Sequence, residues 1–193
     1  MTLSHTTPDV QRLEEAGVHR WYRFVLAFSD QLVTRVLSDL NLPAGATILD
    51  PFVGTGTTLI ECQKLGFNGI GLDANPFTAF TSRVKTNWQI DLARFRRQRA
   101  TLLRRLRDAL AATATIEDPL QLSFYDLGIS ELAQAYEARG HTSHPEIVAL
   151  IPKGAINPRL LAKVLIARDM IFKERDSSIR DLFLLALAAI TVE

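Results

Sequence analysis

The stretch Ile48-Leu49-Asp50-Pro51-Phe52-Val53-Gly54-Thr55-Gly56-Thr57-Thr58-Leu59 constrains this chain more than any other. An apolar run ends in an acid, breaks into a loop with two glycines, and passes at once into a segment that reads as a helix. A buried strand that turns sharply into a helix needs backbone conformations and close approaches that a Cβ forbids. Gly54 and Gly56 supply them. The helix starting near Thr57 points its first free N–H groups back into the loop, and its dipole favours an anion there. Thr57 or Thr58 is expected to cap that helix and to offer a hydroxyl to a ligand.

The flanking sequence extends the pattern. Thr47 to Asp50 reads as a short buried strand, Thr57 to Leu65 as a helix, and Gly66 as its C-terminal cap. Asn68 to Leu72 reads as a second short strand ending at Asp73, and Pro76 suits the first turn of another helix. Residues 47–87 thus spell strand, glycine loop, helix, strand, helix, the opening of a doubly wound α/β sheet. Upstream, Trp21, Phe24, Val25, Phe28, Leu32, Val36 and Leu40 recur at steps of three and four, predicting a helix over 19–40 with Trp21 and Tyr22 in its core face. Residues 1–18 read as a polar lead-in.

The ligand suited to this loop is a nucleoside with a small anion. Asp50 at the strand end is unwelcome beside a pyrophosphate but suits an ammonium. Leu59 stands where the third glycine of a dinucleotide fingerprint belongs, and no Gly-Lys-Ser/Thr follows the loop, which excludes a phosphate-binding P-loop. Asp73, ending the second strand, is placed to accept hydrogen bonds from two ribose hydroxyls. Asn75, Pro76 and Phe77 follow, where an adenine ring would pack. S-adenosylmethionine (SAM) satisfies each of these demands, with its carboxylate at the helix start and its ammonium near Asp50. A nicotinamide dinucleotide is a distant alternative.

Asp50-Pro51-Phe52-Val53-Gly54-Thr55-Gly56-Thr57-Thr58 resembles the first motif of the N6-adenine and N4-cytosine DNA methyltransferases. Gly71-Leu72-Asp73-Ala74-Asn75-Pro76 resembles the acid-ended second strand that follows it, and Phe28-Ser29 resembles the segment sheltering the methionine end of SAM. The resemblance implies a Rossmann-like SAM-dependent methyltransferase fold of the α/β class. It implies that Asp50 and Phe52 contact the methionine part, Gly54 and Gly56 line the site, Thr57 meets the carboxylate and Asp73 binds the ribose, with Asn75 beside the nucleoside. It also implies methyl transfer to an exocyclic amine of a base flipped out of DNA.

That chemistry needs a second motif, in which Asp, Ser or Asn precedes Pro-Pro and an aromatic to hold the amine and stack the base. The chain contains no Pro-Pro dipeptide. Asn157-Pro158-Arg159 and Asp118-Pro119-Leu120 are the nearest fragments, so no catalytic residue is assigned. Beyond residue 90 few strands are expected. Helices are predicted over 91–112, 129–139, 157–173 and 178–192, with a connection at 113–128 and a loop at 140–145. The sheet therefore reads as incomplete, with residues 19–90 as the SAM-binding part and 91–193 as a mostly helical extension. The apolar helix ending abruptly at Glu193 points to a catalytic motif carried farther along the protein or on a second chain. An RNA guanine-N2 methyltransferase and a non-catalytic SAM-binding partner subunit are the competing expectations.

Net charge is +1, so any attraction to nucleic acid must be local. Seven arginines fall between residues 94 and 107. With Leu92, Phe95, Leu102, Leu106 and Leu110 on the other side, they read first as a solvated face of an amphipathic helix and second as phosphate contacts. The single cysteine, Cys62, reads as a small buried apolar residue. His141 and His144 flank a loop near Glu146 without a convincing third ligand, so no metal is expected. With no signal peptide and no apolar run long enough to span a bilayer, a cytoplasmic location is the default expectation.

Overall fold

A computed structural model describes residues 17–22, 28–114, 149–150 and 158–192. They form a mixed α/β structure. In chain order come a 3₁₀ turn Val18–Trp21, α1 Asp30–Asp39, β1 Thr47–Asp50, α2 Thr57–Leu65, β2 Asn68–Gly71, α3 Pro76–Thr86, α4 Leu92–Ala114, α5 Pro158–Phe172 and α6 Ser177–Val192. The predicted segments at 113–128, 129–139 and 140–145, with His141, His144 and Glu146, lie wholly or almost wholly outside the described residues. The chain divides into two compact units, one of residues 1–90 with 181–193 and one of residues 91–180.

In the first unit β1 and β2 pair in parallel, Leu49 opposite Ile70 and Asp50 opposite Gly71. Parallel neighbours need a crossover, and α2 is that crossover. Gly69 and Gly71 face it: an added Cβ would come within 2.6 Å of Leu59 at the first and of Val53 at the second. The glycines let the helix lie close on the strands. α2 also packs against α1 and α3, and Val33, Leu37 and Cys62 are buried together with Ile48 and Phe67 against them. Cys62 is fully buried, as its helical setting predicts.

The opposite face of the sheet departs from expectation. The first strand reads as buried, yet Leu49 is 60% exposed, and its neighbour Ile70 in the second is 52% exposed. The reason is that α2 covers only the face bearing the glycines, and the described residues supply no layer for the other.

The single helix predicted over 19–40 is also revised. A 3₁₀ turn ends at Trp21, Tyr22 is extended, and α1 begins afresh at Asp30. Ser29 explains that start: its hydroxyl accepts the Leu32 N–H at 3.2 Å, which stops helix propagation from upstream. Trp21 is exposed rather than core, while Tyr22 is half-buried edge-on against Phe77.

In the second unit α4 packs on α5, with Leu106, Ala109 and Leu110 against Leu161, Leu165 and Ile166. Asp176 sets the start of α6, accepting the N–H groups of Ser178 and Ile179, and it also pairs with Arg94 at 3.1 Å.

Candidate functional site

The glycine loop is built at the C-terminal ends of β1 and β2. Leu72 N–H donates to Asp50 C=O and Val53 N–H to Leu72 C=O, both at 2.9 Å, so the strand pairing continues into the loop. Phe52 N–H donates to the Asp50 carboxylate at 3.0 Å and Gly56 N–H to Val53 C=O at 2.9 Å. Gly54 and Gly56 both have positive φ, +52° and +93°, which bends the chain into the helix.

Gly56 itself is the N-cap of α2, and no side chain caps the helix. This corrects the expectation that Thr57 or Thr58 would cap it. A threonine cap requires an extended residue before the helix, and the left-handed Gly56 occupies that place. The first intrahelical bond is Ile60 N–H to Gly56 C=O, so the N–H groups of Thr57, Thr58 and Leu59 precede it and have no helical acceptor. The Thr57 side chain is buried, whereas Phe52, at 85% exposure, stands free on the loop.

Asp73 lies directly beside this loop. One carboxylate oxygen accepts the Gly54 N–H and the other the Asn75 N–H, each at 2.8 Å. The Asn75 amide bond, a further one from Thr78 and the Gly54 bond hold its carboxyl below the usual range. Each oxygen retains accepting capacity, because a carboxylate has about four lone-pair sites. Asn75 caps α3, its side chain accepting the Phe77 N–H at 2.9 Å. The structure therefore brings Asp50, Phe52, Gly54, Gly56, Thr57, Asp73 and Asn75 into one neighbourhood at the strand ends.

Beneath the loop lies a feature that periodicity hides. Thr78, Thr81, Ser82 and Lys85, at helical spacing, are all buried on α3. Thr81 donates to its own helix, to Phe77 C=O. The Lys85 ammonium donates to His19 C=O at 3.2 Å and Tyr22 C=O at 3.0 Å, fastening the 3₁₀ turn to α3. Burial lowers its pKa to about 8. Ser82 Oγ has no hydrogen-bond partner among the described residues and lies 2.7 Å from the place a Cβ on Gly56 would take. A polar stripe that includes a lysine is ordinarily read as solvent-facing, so apolar spacing gives no signal of this burial.

A second buried group joins the same region. Glu61 accepts from His19 at 2.8 Å, Thr34 at 3.1 Å and Lys64 at 2.6 Å. His19, Asp30 and Glu61 bring possible metal-ligand atoms within 4.8 Å of one another. The Lys64 ammonium lies on the same Glu61 oxygen as His19, so the carboxylate already has its counter-charge. This is an ion-paired junction between the 3₁₀ turn, α1 and α2.

Residues 7–80 match the family model described as DNA methylase. This part of the chain is therefore similar in sequence to DNA methylases. Among curated relatives, the type II methyltransferase M.BsoBI of Geobacillus stearothermophilus is 36% identical over 77 residues, 40% of this chain and 15% of that protein. The type II methyltransferase M.MjaII of Methanocaldococcus jannaschii is 40% identical over 68 residues, 35% of this chain and 13% of that protein. M.AvaI of Nostoc is 31% identical over 75 residues, 39% of this chain and 16% of that protein. The chain therefore aligns with only a small part of the length of each. No solved structure matches.

Proposed function

We propose that this chain carries the SAM-binding part of a methyltransferase that acts on an exocyclic amine of adenine or cytosine in DNA, within a Rossmann-like fold. The single observation that carries the reading is the Gly54 N–H to Asp73 bond, which locks the glycine loop to the acid two residues beyond β2. Loop, helix start and acid thus lie together at the C-terminal ends of parallel strands, and sheets of this kind take nucleoside ligands at that end.

The residues fit the group. The free N–H groups at the start of α2 suit a carboxylate. Asp50, with one oxygen engaged by Phe52 N–H, has a second for the ammonium. Gly54 and Gly56 keep the loop free of side chains, and exposed Phe52 would cover the methionine part. Thr57 would serve through its backbone N–H, since its side chain is buried. Asp73 stays ionised and acceptor-only for the ribose hydroxyls, while Asn75 fixes the start of α3 beside Phe77 for the adenine. SAM, when bound, supplies an activated methyl group. The chain lacks the Pro-Pro-aromatic motif, so the residues holding the target amine would come from another segment or chain.

Calorimetry with S-adenosylhomocysteine tests the reading. Expected is saturable binding that Asp73→Ala weakens at least about tenfold, the loss of roughly one charge-assisted hydrogen bond. Binding of NAD with no binding of S-adenosylhomocysteine overturns it.

A further inference from the structure

The second unit holds a charged surface that the SAM site does not use. Within α4, Arg96, Arg97, Arg104 and Arg107 are all exposed. At 3.6 residues per turn they share an arc of roughly 100°, spread over about 16 Å of helix axis. Between the first and last of them, the only other residue on that arc is Ala100, and Ala93 and Ala111 extend it at either end, all three exposed. No acid interrupts it. Asp108 lies beside the arc, yet none of the four arginines forms an ion pair among the described residues; Arg97 only senses the Asp91 carboxylate. Arg94, off the arc, is by contrast paired to Asp176.

A merely solvated helix face interleaves acids with its bases, because pairs three or four apart stabilise it. This face offers arginines separated by the smallest side chains, leaving room for a chain of anions to approach closely. Leu106, Ala109 and Leu110 of α4 are packed against α5, which leaves Leu92 and Leu103 as its exposed leucines among the described residues, less than the broad apolar face that a membrane-surface helix requires. The arc also lacks the aromatic anchors that a protein partner would need.

We propose that the Arg96–Arg97–Arg104–Arg107 face of α4 binds the phosphodiester backbone of duplex DNA, independently of sequence. The proposal rests on the DNA reading above and adds to it a docking surface outside residues 7–80. Phosphate contacts of this kind position a protein on its substrate without reading bases.

The test is the salt dependence of binding to a fluorescent random-sequence duplex, for the parent chain and two quadruple variants. Each phosphate contact adds about 0.9 to the slope of log affinity against log salt. Replacing all four arginines with alanine should flatten the slope by about 3–4 and weaken low-salt binding at least tenfold. Replacing all four with lysine, which keeps the charges, should hold the slope within about one unit of the parent. Far-UV circular dichroism checks that α4 persists, which alanine favours. An unchanged slope in the alanine variant overturns the proposal. So does the absence of duplex binding by the parent chain, tighter binding to duplex RNA of equal length, or equal binding to phosphatidylglycerol vesicles. S-adenosylhomocysteine calorimetry on the same preparations separates the two readings. Cofactor binding with an unchanged salt slope sinks only the α4 surface, whereas loss of cofactor binding by the parent chain sinks the SAM reading.

Discussion

Gly56 sits at the joint where the loop becomes α2, and two separate demands fall on it. Its φ of +93° is unfavourable for any residue with a Cβ. An added Cβ would also lie 2.7 Å from Ser82 Oγ and 3.0 Å from the Ser82 Cα, and the latter is backbone that cannot swing away. Gly66, which caps the other end of α2, has φ +79° but nothing within 4 Å of an added Cβ. The two positions separate strain from overlap. Gly66→Ala should lower stability by about 1 kcal/mol, the penalty of a left-handed alanine. Gly56→Ala should lower it by about 2–4 kcal/mol, because overpacking adds to that penalty. Urea midpoints of the two variants check this. Equal losses would mean that α3 yields to the methyl group and that Ser82 does not define the floor of the loop.

At the scale of elements, α3 shows best where sequence reading succeeds and where it stops. Its start was legible, because Asn75 and Pro76 are cap and first-turn residues by their own chemistry. The bend between β1 and α2 was legible too, since two glycines in that setting leave few other conformations. The inward face of α3 was not. Of its five buried residues only Val84 is apolar, the others being Thr78, Thr81, Ser82 and Lys85, and a pattern read from apolar spacing assigns such a stripe to water. The break before α1 was hidden likewise, since apolar spacing runs through Ser29 without registering its cap. The roles of Asp73 follow the same logic: an acid at a strand end is visible in sequence, but its bond to Gly54 depends on how the loop folds back.

Lys85 turns that hidden face into a prediction. Its folded-state pKa is lowered from 10.5 to about 8 by burial, so between those values the unfolded chain holds a proton that the folded chain releases. Stability therefore rises with pH across that window, by as much as about 3 kcal/mol. Cys62 works in the opposite sense: burial raises its thiol above 9.0, so its contribution is lost as pH rises. The Lys85→Met variant isolates the lysine. The stability of the parent relative to this variant should climb between pH 8 and 10.5 in chemical denaturation. Parallel curves would show that the ammonium is hydrated in the folded state and does not fasten the 3₁₀ turn as a buried group.

At the scale of the molecule, the decisive feature is that the described residues form a sheet of two strands with one face covered. α2 lies on the glycine face, and the Leu49–Ile70 pair looks outward with Leu72 also exposed. Among the described residues no helix is long and apolar enough to cross a membrane. A contiguous exposed apolar face on a sheet marks a site for further packing. Because the two side chains are more than half exposed, removing their methyl groups forfeits little burial in this chain. Leu49→Thr with Ile70→Thr should change stability by less than about 1 kcal/mol, the ordinary range for surface positions, since threonine is β-branched and suits a strand. The same double variant should bind less of an environment-sensitive hydrophobic dye than the parent does. A loss of several kcal/mol would instead place these residues in a buried layer, and the sheet would then be completed within the 193 residues. A small loss with weakened dye binding means that the face stays open here, and that a further layer of structure, carried by another segment or another chain, is what would cover it.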